Sequence, residues 1–250
     1  MTHDRHSFAR GPPRRRRNAD RITALKVRAT LRRWHIWLGW LVGVPFLFWA
    51  LSGLIMVWKP IEEVRGTDLL APAAPVVLGA PAILPSVVAG LPLAKVTLEQ
   101  RAAGPRWVIE VRGGPTRLAD PVTGRLLPPL SAADASAEVL ARYRGTGTIA
   151  SVSRTSADDP PLELRRPVAS WKVDMSDGSH LFVAADSGAI VATRTRWWRV
   201  YDWMWGLHIM DLKGREDTHH PTLVAFAAIS LLTVLLALVL LPLSIKRRRP

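Results

Sequence analysis

Two stretches of this chain are unable to remain in water. Trp34 to Trp58 and Pro221 to Ile245 each run for 25 residues without an Asp, Glu, Lys or Arg. As helices they reach roughly 37 Å, more than the ~30 Å hydrocarbon layer of a bilayer. Everything else in the sequence is therefore read around two transmembrane helices, 34–58 and 221–245, with the lipid bilayer as their partner. Trp34 and Trp37 at one end of the first run and Trp58 at the other stand where indole rings settle, at the two interfaces. Pro45 falls mid-span and is expected to kink the helix, which lipid-buried helices tolerate. The second run opens behind Asp217 and Thr218 as caps, with Pro221 suited to a first helical turn.

The net charge of +14 invites a nucleic-acid reading until the charge is located. Residues 1–33 carry 11 Lys/Arg against Asp4 and Asp20, and Lys246 to Arg249 add four more. Across everything between, 19 Lys/Arg meet 18 Asp/Glu. Basic residues flanking apolar runs mark the cytoplasmic ends of membrane spans, so no nucleic acid is expected as a partner. The positive-inside rule places both basic tails, 1–33 and 246–250, in the cytoplasm, and residues 59–220 in the periplasm or outside the cell. A cleaved signal peptide, with Arg32-Arg33 as a twin-arginine signal, is the rival reading of the first run. That run is far longer than an h-region of about 7–15 residues, and no small-x-small site directly follows it. Cysteine is absent, which excludes disulfides, thiolate metal sites and iron–sulfur clusters.

Between the spans, residues 59–92 read as a linker and first helix, and the Pro/Ala-rich stretch Leu69 to Pro85 as an extended spacer. Residues 93–195 then repeat themselves. Trp107-Val-Ile-Glu110, Gly114 and Asp120-Pro-Val-Thr-Gly124-Arg-Leu-Leu127 align without a gap to Trp171-Lys-Val-Asp174, Gly178 and Ala184-Ala-Asp-Ser-Gly188-Ala-Ile-Val191, at a constant offset of 64. Gly113-Gly114 and Asp177-Gly178 are hairpin signals, and Thr123-Gly124 and Ser187-Gly188 supply a left-handed position for the next turn. Ser131 to Arg142 predicts a helix behind a Ser cap, and a shorter helix of the first copy is expected near Ile83 to Leu91. Glu110, Asp120 and Asp174 have turn or strand-surface roles by default. The fold class is a membrane α+β protein: two transmembrane helices flanking a periplasmic domain of two tandem helix and antiparallel-sheet modules, plus an interfacial amphipathic helix over 196–212.

The histidines are the residues most able to carry chemistry. His35 shares one face of the first span with Gly39, Gly43, Phe46, Ala50 and Gly53, a mostly small-residue face that a second helix or a flat macrocycle can approach closely. It is either an interfacial histidine beside Trp34 and Trp37 or an axial ligand of a b-type haem. In Arg196 to Met210, Trp197, Tyr201, Met204 and His208 share a face, while Arg199 and Asp202 forbid spanning. The segment, with its four tryptophans, is expected to lie flat at the interface. His208 is then a second axial ligand or an ordinary interfacial side chain, and His219 or His220 stands as its substitute. His35 and Trp58 are 23 residues apart, about 35 Å of helix, so His35 and a His208 at the opposite surface need separate irons. No Ser/His/Asp constellation, phosphate loop or zinc motif is present.

The repeated module with its Asp120-Pro121-Val122-Thr123-Gly124 turn resembles a PepSY domain. The flanks resemble the PepSY-associated transmembrane family: Arg33-Trp34-His35-Ile36-Trp37-Leu38-Gly39, Pro60 to Gly66, Tyr201-Asp202 and Leu207-His208-Ile209-Met210-Asp211. The likeness covers about residues 30–245. Larger relatives of this kind include inner-membrane reductases of ferric siderophores that hold b haems through histidines. The resemblance therefore implies haem b at His35 and His208 and a ferric reductase-like oxidoreductase. Those reductases have four spans in one chain where this one has two, so a homodimer or a membrane partner is implied too. The alternative is a non-enzymatic, membrane-tethered PepSY module that binds or inhibits a periplasmic protein such as a peptidase.

Overall fold

The computed structural model describes residues 14–245. Residues 1–13 of the first basic tail and the whole of the second, 246–250, lie outside the described residues. The chain divides into two compact units: residues up to Gly53 with those from Gly206 onward, and Leu54 to Trp205.

The first unit is built on two long helices. Helix α1 runs from Arg14 to Trp58 and continues through Pro45. The helix extends beyond the apolar run through the basic segment as well, because Arg, Lys, Ala and Leu are good helix formers. Next in sequence, in the second unit, a five-residue helix, α2 (Ile61–Arg65), ends at Gly66 with φ of 63°. The last helix of the chain spans Pro221–Ile245. Only 11% of the first apolar window and 6% of the second is buried, so neither is the core helix of a water-soluble fold. Both are long and apolar enough to cross a bilayer.

The second unit holds two antiparallel sheets. One has the order β1 (Leu93–Arg101), β2 (Gly104–Val111), β3 (Arg117–Ala119). Helix α3 (Ala132–Arg142) precedes the other, β4 (Ile149–Thr155), β5 (Ser170–Met175), β6 (His180–Ala184) and β7 (Ile190–Arg194), paired in that order. The internal repeat is structural. Trp107, Val108 and Ile109 of β2 face Ala119, Leu118 and Arg117 of β3. Moving each by 64 gives Trp171–Val183, Lys172–Phe182 and Val173–Leu181, the pairs between β5 and β6. The following turns match as well. Gly124 N–H donates to the Asp120 carbonyl and Gly188 N–H to the Ala184 carbonyl, both at 2.9 Å, and both glycines have φ of 68°. The strand before each hairpin carries the same irregularity, at Leu93/Lys95 in β1 and at Ile149/Ser151 in β4, an offset of 56.

Each copy also receives its upstream segment in the same way. Ile83 N–H donates to the Pro121 carbonyl and Leu130 N–H to that of Ala185, each at 2.7 Å. The Trp107 indole donates to the Ile83 carbonyl and the Trp171 indole to the Leu130 carbonyl, at 2.9 and 2.7 Å. From there the copies part. Ser131 opens α3 with a capping box, its Oγ accepting Asp134 N–H while the Asp134 carboxylate accepts Ser131 N–H. After Ile83 the chain makes only a three-residue 3-10 turn, Ser86–Val88, where a short helix was expected. Gly90 at φ of 85° and then Pro92 stop the helix from continuing.

The single helix α3 serves both sheets. Ala135 and Val139, fully buried, pack in one cluster with Val108 and Leu118 of the first sheet and Val173, Leu181 and Val183 of the second. A smaller cluster joins Leu164, from the β4–β5 connection, to Phe182 and Ala192.

Candidate functional site

Helix α4 spans Arg196–His208. Its first turn is capped by Thr195, whose Oγ1 accepts Trp198 N–H at 2.9 Å. Asp202, 4% exposed, pairs with Arg165 of the β4–β5 connection at 2.5 Å. The Arg194 guanidinium lies 4.3 Å from the Trp198 ring, and Arg199 donates to the Gly178 carbonyl at 2.8 Å. One flank of α4 is therefore bonded to the sheet domain. Of the four tryptophans expected at a lipid surface, Trp198 is spent on these cations, while Trp197 and Trp203 are exposed.

His208, at the end of α4, lies against α1. Its ring stacks on Trp49 at 4.5 Å and 22°. Gly53 makes the approach possible: a Cβ there would lie 3.2 Å from His208 Cε1. Nδ1 is 3.2 Å from the Trp49 carbonyl oxygen and 3.1 Å from Ser52 Oγ, and the fully buried Ser52 hydroxyl itself donates to the Trp49 carbonyl at 2.8 Å. A carbonyl only accepts, so the Nδ1 nitrogen carries the proton and Nε2 carries the lone pair. The sequence placed His208 at the surface marked by Trp58. In the structure it sits level with Trp49 and Ser52, about 9–14 Å further along α1.

The segment after α4 fixes this seat. Asp211 accepts the N–H groups of Gly214, Glu216 and Asp217 at 2.9, 3.2 and 3.3 Å. The Gly214 N–H above all, with the other two, holds its carboxyl down at about 2. Gly206 leaves room for the loop, since a Cβ there would meet Arg215 at 2.7 Å and the Asp211 carbonyl at 2.9 Å. His219 and His220 are engaged locally, with Thr218 at 3.4 Å and Thr222 at 2.6 Å, and neither is brought to His208 by any hydrogen bond.

His35 stands in a different environment. It lines an open groove of ≈ 740 Å³ with Arg28 and Arg32 on α1 and Ala237, Leu240 and Leu241 on the last helix, here α5. Its Nδ1 is enclosed and has no hydrogen-bond partner. About 21–26 Å of helix separates it from the level of Trp49 and Ser52, so the two histidines are brought to separate sites, as the spacing required.

The sheet domain contains two further polar features that the sequence did not single out. Where the two copies meet, a hollow of ≈ 210 Å³ is lined by Arg101, Arg106 and Glu138 among leucines. Glu138 accepts Ala102 N–H at 2.9 Å, and burial pushes its carboxyl up. On the second sheet, His180 lies 2.7 Å from Glu163 and 3.5 Å from Asp174, with Lys172 at 3.0 Å from Asp174. Glu163 and His180 are 17 residues apart, and the β5–β6 register and the β4–β5 connection unite the group. Among the described residues, no group of three or more His, Asp or Glu side chains is placed to hold a metal ion.

No curated protein and no solved structure matches the chain. A family model described as "PepSY-associated TM region" matches residues 12–241, which takes in the first apolar helix from end to end, most of the second, both sheets, His35 and His208. That match covers nearly the whole chain, and the chain belongs to the PepSY-associated transmembrane family.

Proposed function

We propose that this protein is an inner-membrane PepSY protein that holds a b-type haem through His208 and passes electrons toward a ferric complex on the side of its sheet domain. The observation that carries this reading is the wiring of His208. A histidine that ligates a metal through Nε2 characteristically donates its Nδ1 proton to a carbonyl, which fixes both tautomer and ring plane. His208 does this through Trp49 and Ser52. Bound there, a haem would supply a one-electron carrier. The chain's own contribution is to hold the ring: Trp49 stacks on it, Gly53 admits it, and the Asp211 loop braces the end of α4.

The resemblance carries His35 over as a second ligand, and its wiring does not fit that role. With Nδ1 sealed and unpartnered, a proton on that nitrogen would leave a buried donor unsatisfied, at about 1–3 kcal/mol. The favoured neutral tautomer keeps the proton on Nε2, which then donates rather than ligates. Two spans enclose a macrocycle poorly, so the reading includes a homodimer or a membrane partner that completes the chamber.

Absorption spectra of the detergent-solubilised protein, oxidised and reduced, test the proposal. Expression with haem available should give a Soret band that His208→Ala removes and His35→Ala leaves. A colourless wild-type protein would overturn it and transfer the reading to a tethered module that binds a periplasmic protein. Reporter fusions within residues 70–190 test the side on which the domain lies; a cytoplasmic signal would overturn the orientation.

A further inference from the structure

We infer that the groove between α1 and α5 at the basic end of the spans is a binding site for an anionic phospholipid, its phosphate held by Arg28, Arg32 and His35. This inference concerns a different site from His208 and does not rest on the haem reading. The groove has two unlike walls at the same depth: guanidinium groups from α1 on one side, and Leu240 and Leu241 from α5 on the other. That pairing of cation and hydrocarbon at one level is complementary to a phosphodiester with an acyl chain leaving it. Basic pockets between transmembrane helices bind anionic headgroups on the same physical grounds.

The spacing supports it. Arg28, Arg32 and His35 fall at successive turns of one helical face and cover about 10 Å along the axis. Arg32 and His35 lie beside Trp34 and Trp37, which mark the interface, and Arg28 lies one turn outside. No Asp or Glu occurs from Arg21 to Trp58, so this stretch of α1 carries only positive charge. His35 adds the decisive detail. Its inner nitrogen is enclosed without a partner, so its proton belongs on the edge that faces the groove, where Nε2–H donates to an anionic oxygen. Ala29 and Ala237 keep the floor shallow enough for a chain to lie along the seam.

Native mass spectrometry of the full-length chain, released from micelles containing phosphatidylglycerol or phosphatidylcholine, tests the site. Wild type should retain one phosphatidylglycerol and lose phosphatidylcholine. Arg28→Gln with Arg32→Gln should weaken retention roughly thirtyfold, and His35→Phe should weaken it less. Arg28→Lys with Arg32→Lys should restore most of it, which separates lost charge from lost folding. A photoactivatable phosphatidylglycerol should label peptides containing residues 28–35 and 237–241 in wild-type protein, without recourse to any variant. Equal retention of both lipids, indifference to the glutamine substitutions, labelling elsewhere, full displacement by inorganic phosphate, or a haem released from this groove by His35→Phe would each overturn the inference.

Discussion

The two copies of the repeated hairpin agree to the residue in register, turn and bulge, and differ in what surrounds them. In the first copy, β1 and β2 are joined by two residues, Ala102 and Ala103; in the second, β4 and β5 are joined by fourteen, 156–169. The second copy has an 11-residue helix where the first has a three-residue turn. Strand alternation and a left-handed glycine are local properties, so they recur wherever the motif recurs. A helix needs an apolar surface to cover, and here one helix covers both sheets. The long connection has a use of its own: Leu164 enters the small core with Phe182, while Glu163 and Arg165 meet Arg199 and Asp202 of α4. One copy lacks the helix, and the other carries the connection that clamps Arg199 and Asp202.

Equivalent substitutions test that asymmetry most severely. Leu118 and Phe182 correspond under the 64-residue shift, and both are buried. Leu118→Ala should cost about 2–5 kcal/mol and Phe182→Ala about 3–5 kcal/mol. Both variants should still unfold in a single transition by denaturant titration of the full chain in micelles. Two separate transitions would mean that the sheets do not share one core. Hydrogen exchange should also show faster exchange over 156–169 and the start of α4 in Phe182→Ala, and not in Leu118→Ala.

A smaller difference is expected at the turn glycines. Alanine at Gly124 or Gly188 takes on a left-handed backbone worth about 1–2 kcal/mol. At Gly188 the new Cβ also meets Leu130 at 3.2 Å, while at Gly124 the nearest atom is Ile83 at 3.5 Å. Thermal midpoints should therefore fall further for Gly188→Ala. The reverse order would show that the first copy, despite its missing helix, is the more tightly built.

These particulars also show what the sequence could disclose. The hairpins, the Ser131 helix and both apolar spans were legible because each rests on neighbours within a few residues. The Arg165–Asp202 pair across 37 residues and the seating of Trp198 under the same Arg165 were not, since no local pattern encodes a contact between distant segments. His35 and His208 were both legible as candidates. What separates them, a carbonyl beside one Nδ1 and nothing beside the other, is a matter of which helix passes behind each ring.

Glu138 probes the joint between the copies, because it belongs to α3 yet bonds the β1–β2 turn. Burial raises its carboxyl above the ordinary value, so the folded state favours the protonated form. Its contribution is fully present below the unfolded value and is lost as pH rises through the folded one. Glu138→Gln keeps an acceptor for Ala102 N–H and removes the ionisation. The variant should match wild type in acid and exceed it at neutral pH, as read from denaturation midpoints. An unchanged pH profile would mean that the joint is not desolvated as the structure has it.

The gentlest probe lies at the far end of α3. Tyr143 donates its hydroxyl proton to Asp177, and burial, followed by that carboxylate, pushes its phenol up to about 12 from an ordinary 10. A raised folded value means the contribution is whole below pH 10 and disappears as pH climbs through about 12. No counterpart exists in the first copy, whose short turn ends before any such position. Lysines titrate in the same range, so the informative quantity is the difference between wild type and Tyr143→Phe, followed through the denaturation midpoint from pH 9 to 12. The phenylalanine variant should lose the steeper part of the alkaline decline. If strands of the first sheet melt together with those of the second during that decline, an ionisation confined to one copy has destabilised both, as a core roofed by a single helix requires.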